Sequence, residues 1–280
     1  MAQSDPRARL TEIHIFPVKA LGGYGVPQAR VEACGLEDDR RWMVVEPGGR
    51  FITQRAVARM ALVRARATPA GVLLSAPGLD TVEISRPGPN ASEADVTVWR
   101  DTVRAAVAPV ADAWISAALG QACRLVHLRD PAARKSSSAA AQPGETVSFA
   151  DGFPVLLTAA ESLAALNANI AQPVPISRFR ANLVVSGAPA WAEDGWRVLR
   201  IGSAVFRVAK PCDRCVVTTI DQETGLRPNR AEPLKALGKI RHDERGLMFG
   251  QNLNPLQLGV VSVGDSVEVL ETGPPNVTPI

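Results

Sequence analysis

The hexapeptide Lys210-Pro-Cys-Asp-Arg-Cys215 places two cysteines, with two residues between them, behind a run that reads as a β-strand. Ala204-Val-Phe-Arg-Val-Ala-Lys210 alternates and is rich in β-branched and aromatic residues, and Pro211, which has no N–H, is expected to end its pairing. Val216-Val-Thr-Thr-Ile220 reads as a second β-forming run, followed by the turn-rich Asp221-Gln-Glu-Thr-Gly225, in which Asp221 caps the turn through its carboxylate. No helix is expected to start at either cysteine. That weighs against a thioredoxin-like pair, whose first thiolate is stabilised by a helix N-terminus. Lys210 and Arg214 offer positive charge in its place, which favours the thiolate that attacks or binds metal.

Taken alone, the pair fits half a zinc site, a redox couple or two small residues packed at a tight strand end. A structural zinc needs four Cys or His ligands. The other candidates, Cys34, Cys123, His14, His127 and His242, stand singly with no second paired spacing.

The chain has 280 residues, 46% hydrophobic and 21% charged, enough for one large or two ordinary domains with a sizeable core. Its formal charge of +3 is spread along the sequence and gives no nucleic-acid footprint. Four unevenly spaced cysteines and an N-terminus without a cationic start or apolar stretch point to reduced thiols in the cytoplasm. No run approaches the roughly 18 apolar residues that span a bilayer, so no membrane association is expected.

Short β-like runs dominate the first half: Thr11–Phe16, Trp42–Val45, Gly71–Leu74, Thr81–Ile84 and Asp95–Trp99. The spacing predicts a helix over 109–119 that stops at Gly120 and turns Val110, Trp114 and Ile115 inward. Between Asp130 and Thr146 the composition shifts to Pro, Ala and Ser, which reads as a linker; a mobile lid carrying Arg134 and Lys135 is the other reading. Thr158-Ala-Ala-Glu161 has capping-box spacing ahead of a helix over 162–170. Leu183–Ser186, Trp196–Ile201, the run ending at Lys210, the Val216 run and 259–270, with a hairpin turn at Gly264-Asp265, follow as barrel-like strands. The expected class is mainly β with a few helices (α+β). No Gly-rich nucleotide fingerprint occurs.

Cys212-Asp-Arg-Cys-Val-Val-Thr-Thr-Ile-Asp221 with Thr224-Gly225 resembles the signature of MOSC domains, the family related to the carboxy-terminal part of molybdenum cofactor sulfurases. In order along the chain, Ile15–Lys19, Asp39–Val44, Glu161–Asn167, Arg178–Asn182, Glu193–Trp196, Ile201-Gly202 and Phe249–Gln251 resemble the amidoxime-reducing branch and its bacterial relatives. The resemblance runs from about Thr11 to Leu270.

It implies a MOSC N-terminal β-rich domain over 8–130, a linker over 131–146, a MOSC β-barrel over 147–272 and a tail over 273–280, with molybdenum cofactor (molybdopterin-bound molybdenum) between the domains. By the same resemblance Cys215 is the metal ligand and catalytic centre, and Lys19, Arg40, Arg180 and Arg214 meet the cofactor, with Asn182 and Ser162 as weaker matches. Guanidiniums suit its phosphate and pterin because they are planar and permanently charged. Where relatives often carry Ser, this chain has Ala20 and Asp213, and Asn252 replaces an aromatic after Phe-Gly-Gln.

The activity implied is reduction of N-hydroxylated compounds (hydroxylamines, hydroxylated bases, amidoximes) by a monomer. Electrons would come from a separate ferredoxin-like or haem protein with its reductase, since no plant-type iron–sulfur spacing occurs here. A non-enzymatic cofactor carrier or sulfur-transfer module, a thiol redox protein and a structural zinc domain stay open beside it.

Overall fold

A computed structural model describes residues 8–280. The largest sheet has nine strands. Its path runs Val267–Thr272, Trp196–Ile201, Ala204–Asp213, Gly246–Gln257, Val155–Ala159, Leu183–Ser186, Arg9–Ile15 and Tyr24–Val26, with His242–Asp243 added beside Gly246–Gln257. All neighbours are antiparallel except Val155–Ala159 against Leu183–Ser186. The sheet closes into a barrel where Arg9 bridges Ser266 and the Leu10 amide donates to the Asp265 carbonyl at 2.9 Å. Leu10, Leu157, Leu199, Phe206 and Leu253 fill the interior, each fully buried and worth about 1.5–3 kcal/mol of apolar transfer.

Two further sheets build the other domain: Trp42–Val45, Arg124–His127, Asp101–Val107 and Glu93–Val98 in one, Arg64–Ala67, Gly71–Ala76 and Leu79–Ser85 in the second. A helix, Asp112–Leu119, packs Ile115 and Leu119 into their shared core and ends at Gly120, whose left-handed φ of 72° makes the expected cap.

The chain does not divide at one point. Arg9–Ile15 and Tyr24–Val26 are barrel strands, and Gln28–Glu32 pairs with Gly259–Ser262, while Val18 and Leu21 sit in the core of the other domain. A partition by sequence position at residue 130 therefore groups with the amino-terminal unit strands that complete the barrel. Nor does the Gly264-Asp265 turn form a hairpin. Its flanking strands leave for different partners, Gln28–Glu32 and Trp196–Ile201, because the Asp265 carbonyl and the Gly264 amide are both bonded to Leu10.

The Ala204–Asp213 strand runs through Pro211 instead of stopping there. Pairing with Trp196–Ile201 has ended at Arg207, so the next residues lie on a free edge, and bulges on the other side absorb the missing N–H. The Val216 run is a 3₁₀ helix, Val216–Thr219, with Cys215 as its N-cap. Threonine hydroxyls override β-propensity here: Thr218 Oγ1 donates to the Cys215 carbonyl at 2.9 Å and Thr219 Oγ1 to that of Val216 at 2.8 Å.

Val110 is 73% exposed, because Pro109–Ala111 forms a 3₁₀ turn ahead of the helix and swings it outward. The second helix, Ala160–Asn167, starts two residues and ends three residues earlier than the expected span and has no side-chain cap. Thr158 is still in the preceding strand with its hydroxyl buried and unpartnered, and Glu161 accepts from the Gly187 amide. The 131–146 segment is tied down at several points: Arg134 is buried and donates to the carbonyls of Ser148 and Asp151 and to Asp101, Ser136 Oγ donates to the Gly152 carbonyl at 2.6 Å, and Glu145 pairs with Arg207 of the barrel at 2.7 Å.

Candidate functional site

A cleft of about 200 Å³ opens where the barrel meets the other domain. Of the seven residues the resemblance singles out, six line it: Lys19, Arg40, Arg180, Asn182, Arg214 and Cys215. Ser162 does not. It is fully buried inside the second helix, where its hydroxyl donates to Glu193 at 2.9 Å and accepts from the Trp191 amide at 2.8 Å.

Each cation is held by local structure. Lys19 follows Val18, whose bridge to Trp42 anchors the turn, and its ammonium donates to the Phe149 carbonyl at 2.8 Å and pairs with Asp151. Burial pushes its pKa down, against the pull of Asp151. Arg40 pairs with the buried Asp39 and donates to Asn182 Oδ1 at 2.9 Å. Asn182 in turn accepts from the Leu156 amide at 3.2 Å and gives its own NH₂ to the His14 carbonyl at 3.1 Å, so it positions Arg40.

Arg180 donates to the Leu21 carbonyl at 2.7 Å and to Gln222 at 3.3 Å. Its guanidinium and that of Arg40 lie 4.4 and 4.6 Å from the centre of the Phe16 ring. Burial, then the charge of Arg40, lowers its pKa, with Asp39 and Asp151 pulling the other way.

The cysteine motif wraps the barrel side. Arg214 donates to Cys212 Sγ at 2.9 Å and to the Phe179 carbonyl at 2.7 Å, while its Nε is buried without a partner. Lys210 is elsewhere. It lines a different surface cleft with Arg197 and Arg245, so Arg214 is the cation beside the thiols. Asp213 accepts from the Leu247 amide at 3.2 Å, and Asn252 donates to the Pro211 carbonyl at 3.3 Å; both face the cleft. Asp221 caps its turn, accepting from the amides of Glu223 and Thr224, and pairs with Arg178.

The sequence reading missed Thr53-Gln-Arg55, Trp99 and Asp151, which complete the cleft wall. Trp99 has φ 56° in a two-residue turn between paired Val98 and Asp101. For a bulky residue this left-handed geometry costs roughly 1–2 kcal/mol. Three contacts hold it there: a hydrogen bond to Asp151 at 2.9 Å, edge packing on Phe51 and the Arg55 guanidinium 4.6 Å from its ring centre. Nothing in a lone Trp-Arg dipeptide announces such a turn.

Five basic side chains line the cleft against two acidic ones, together with two thiols. This donor set suits an anionic, sulfur-rich ligand: soft sulfur for a metal, planar guanidiniums for phosphate or a flat heterocycle, and an unsatisfied Arg214 donor.

Residues 144–268 match the MOSC domain and residues 7–122 the MOSC N-terminal beta barrel domain, so the chain belongs to the MOSC family. Among its relatives is mitochondrial amidoxime-reducing component 1, 30% identical over 278 residues in Xenopus laevis, covering 92% of this chain and 81% of that protein. The protein of the same name from Homo sapiens is 30% identical over 279 residues, covering 93% and 82%. The molybdenum cofactor sulfurase of Oryza sativa subsp. japonica is 30% identical over 273 residues, 88% of this chain but 32% of the longer enzyme. Among the described residues no helix is long and apolar enough to cross a membrane.

Proposed function

We propose that this chain is a molybdenum-cofactor-dependent reductase of N-hydroxylated compounds that takes its electrons from a separate protein. The observation that carries this reading is the convergence of Lys19 and Arg40 from the amino-terminal half with Arg180, Arg214 and Cys215 from the barrel on one cleft. Cys215 would be the protein ligand to the metal. Arg40, Arg180 and Arg214 would hold the pterin and phosphate, with Lys19 at the phosphate end and Asn182 keeping Arg40 in line. When bound, the cofactor supplies two-electron oxygen removal, chemistry that no side chain here performs.

The chain's residues orient and shield. Phe16 and Phe179 give the guanidiniums flat apolar supports at 4.4–5.4 Å, which keeps them planar and directed without consuming their N–H groups. Asp39 and Asp151 are paired with Arg40 and Lys19, while Asp213 accepts from the Leu247 amide and faces the cleft without a cationic partner among the described residues.

The test is purification from a cofactor-producing host, metal and pterin analysis, and turnover of benzamidoxime with a chemical reductant. Molybdenum near one per chain with release of benzamidine supports the reductase. Bound cofactor without turnover supports the carrier or sulfur-transfer reading, and zinc or no metal overturns both.

A further inference from the structure

We infer that Arg55, mounted on Trp99, is a specificity-determining residue that selects flat N-hydroxylated substrates bearing a carboxylate. The inference rests on the proposed reductase function and names its substrate class.

The five cations of the cleft are not equivalent. Lys19 gives its ammonium to Phe149 and Asp151; Arg40 serves Asp39 and Asn182; Arg180 serves Leu21 and Gln222; Arg214 serves Phe179 and Cys212. Arg55 differs. Among the described residues its guanidinium has no acidic partner and donates no hydrogen bond, although it lines the same cleft. Five N–H donors are left for a ligand.

Arg55 is exposed and has one support. The Trp99 ring centre lies 4.6 Å from its guanidinium carbon and takes none of its N–H donors, which a carboxylate can bond in a two-pronged fashion. Trp99 is itself fixed through Asp151 and Phe51 in a backbone conformation that glycine favours. A strained residue kept at the wall of a binding cleft by several contacts is a mark of function. Trp99 remains 41% exposed, so the platform stands at the mouth, where the outer end of a substrate would rest while its N–O group points inward.

Flatness follows from the same geometry. The edge of a supported guanidinium meets a carboxylate on a rigid ring with little ordering of the ligand, whereas a flexible chain must lose rotamer entropy to reach it.

The experiment measures binding of 4-carboxybenzamidoxime and benzamidoxime to purified holoprotein by calorimetry, in wild type, Arg55→Gln and Trp99→Gly, with pterin content measured in each. Glycine suits the turn, so the Trp99 variant keeps its fold while losing the platform. Wild type is expected to bind the carboxylate compound about tenfold more tightly, the scale of one charge-assisted pair at a cleft mouth, and both variants to bring the ratio to about one. A wild-type ratio near one, or an unchanged ratio in the variants, overturns the inference. Pterin lost in Arg55→Gln also overturns it, by assigning the arginine to the cofactor. Binding is read without turnover, so failure to reduce benzamidoxime counts against the reductase reading alone.

Discussion

Arg214 holds the Cys212 sulfur at 2.9 Å, and among the described residues the Cys215 sulfur has no protein partner. The two thiols of the motif are therefore distinct: the first is engaged by its own arginine, and the second is open to whatever enters the cleft.

Replacing Cys215 with alanine should remove reduction of N-hydroxylated probes by more than roughly a hundredfold, beyond what outer-shell changes cost metal sites. Cys212→Ala should retain much of it. Metal analysis beside activity checks both variants, and a Cys215→Ala protein of normal activity would sink the ligand assignment.

Asn182→Leu should destabilise the protein by about 1–3 kcal/mol, because the half-buried Leu156 amide and His14 carbonyl lose their partner. Arg40 loses its positioning contact at the same time. Thermal melting reads the first effect and molybdenum retention on dialysis the second.

Glu193 gives a pH dependence with a definite sign. Burial, only partly offset by the Ser162 hydrogen bond, pushes its pKa up to about 7. The folded state then binds a proton that the unfolded chain has released between about pH 4.5 and 7, so this group makes stability fall as pH rises through that window, by a few kcal/mol at most. Glu193→Gln should flatten the melting temperature over the same range; an unaltered slope would show that the carboxyl does not titrate there.

Arg134→Ala should cost about 3–5 kcal/mol, since Asp101 is left without its buried partner and the 148–151 backbone without its clamp. Lysine should rescue poorly, having no fork to span several carbonyls. Denaturant midpoints of the two variants decide this.

The sequence made the class of fold and four of the five cleft cations legible for different reasons. Strands with alternating burial, such as Gln28–Glu32, announce themselves by period. The longest strand, Gly246–Gln257, does not, because it buries Gln251 and Asn254 and contains Gly250 at φ 80°, where a Cβ would lie 2.7 Å from the Leu157 carbonyl. Pro211 misled because the strand edge it occupies needs no N–H, and Val216–Thr219 because local hydroxyl bonds decided its backbone. Cys215, Arg214, Arg180, Arg40 and Lys19 were readable from short ordered motifs. Arg55 and Trp99 were not, since what distinguishes them is the absence of partners and a turn conformation, and neither has a residue code.

The interleaving of residues 9–32 has a mechanical consequence. Chain passes between the barrel and its neighbour on both sides of Val18–Leu21 as well as near residue 150, so the two halves are laced together and not hung on a single hinge. Each crossing restrains rotation of one half about the other, so a bulky ligand seated between them should leave slowly.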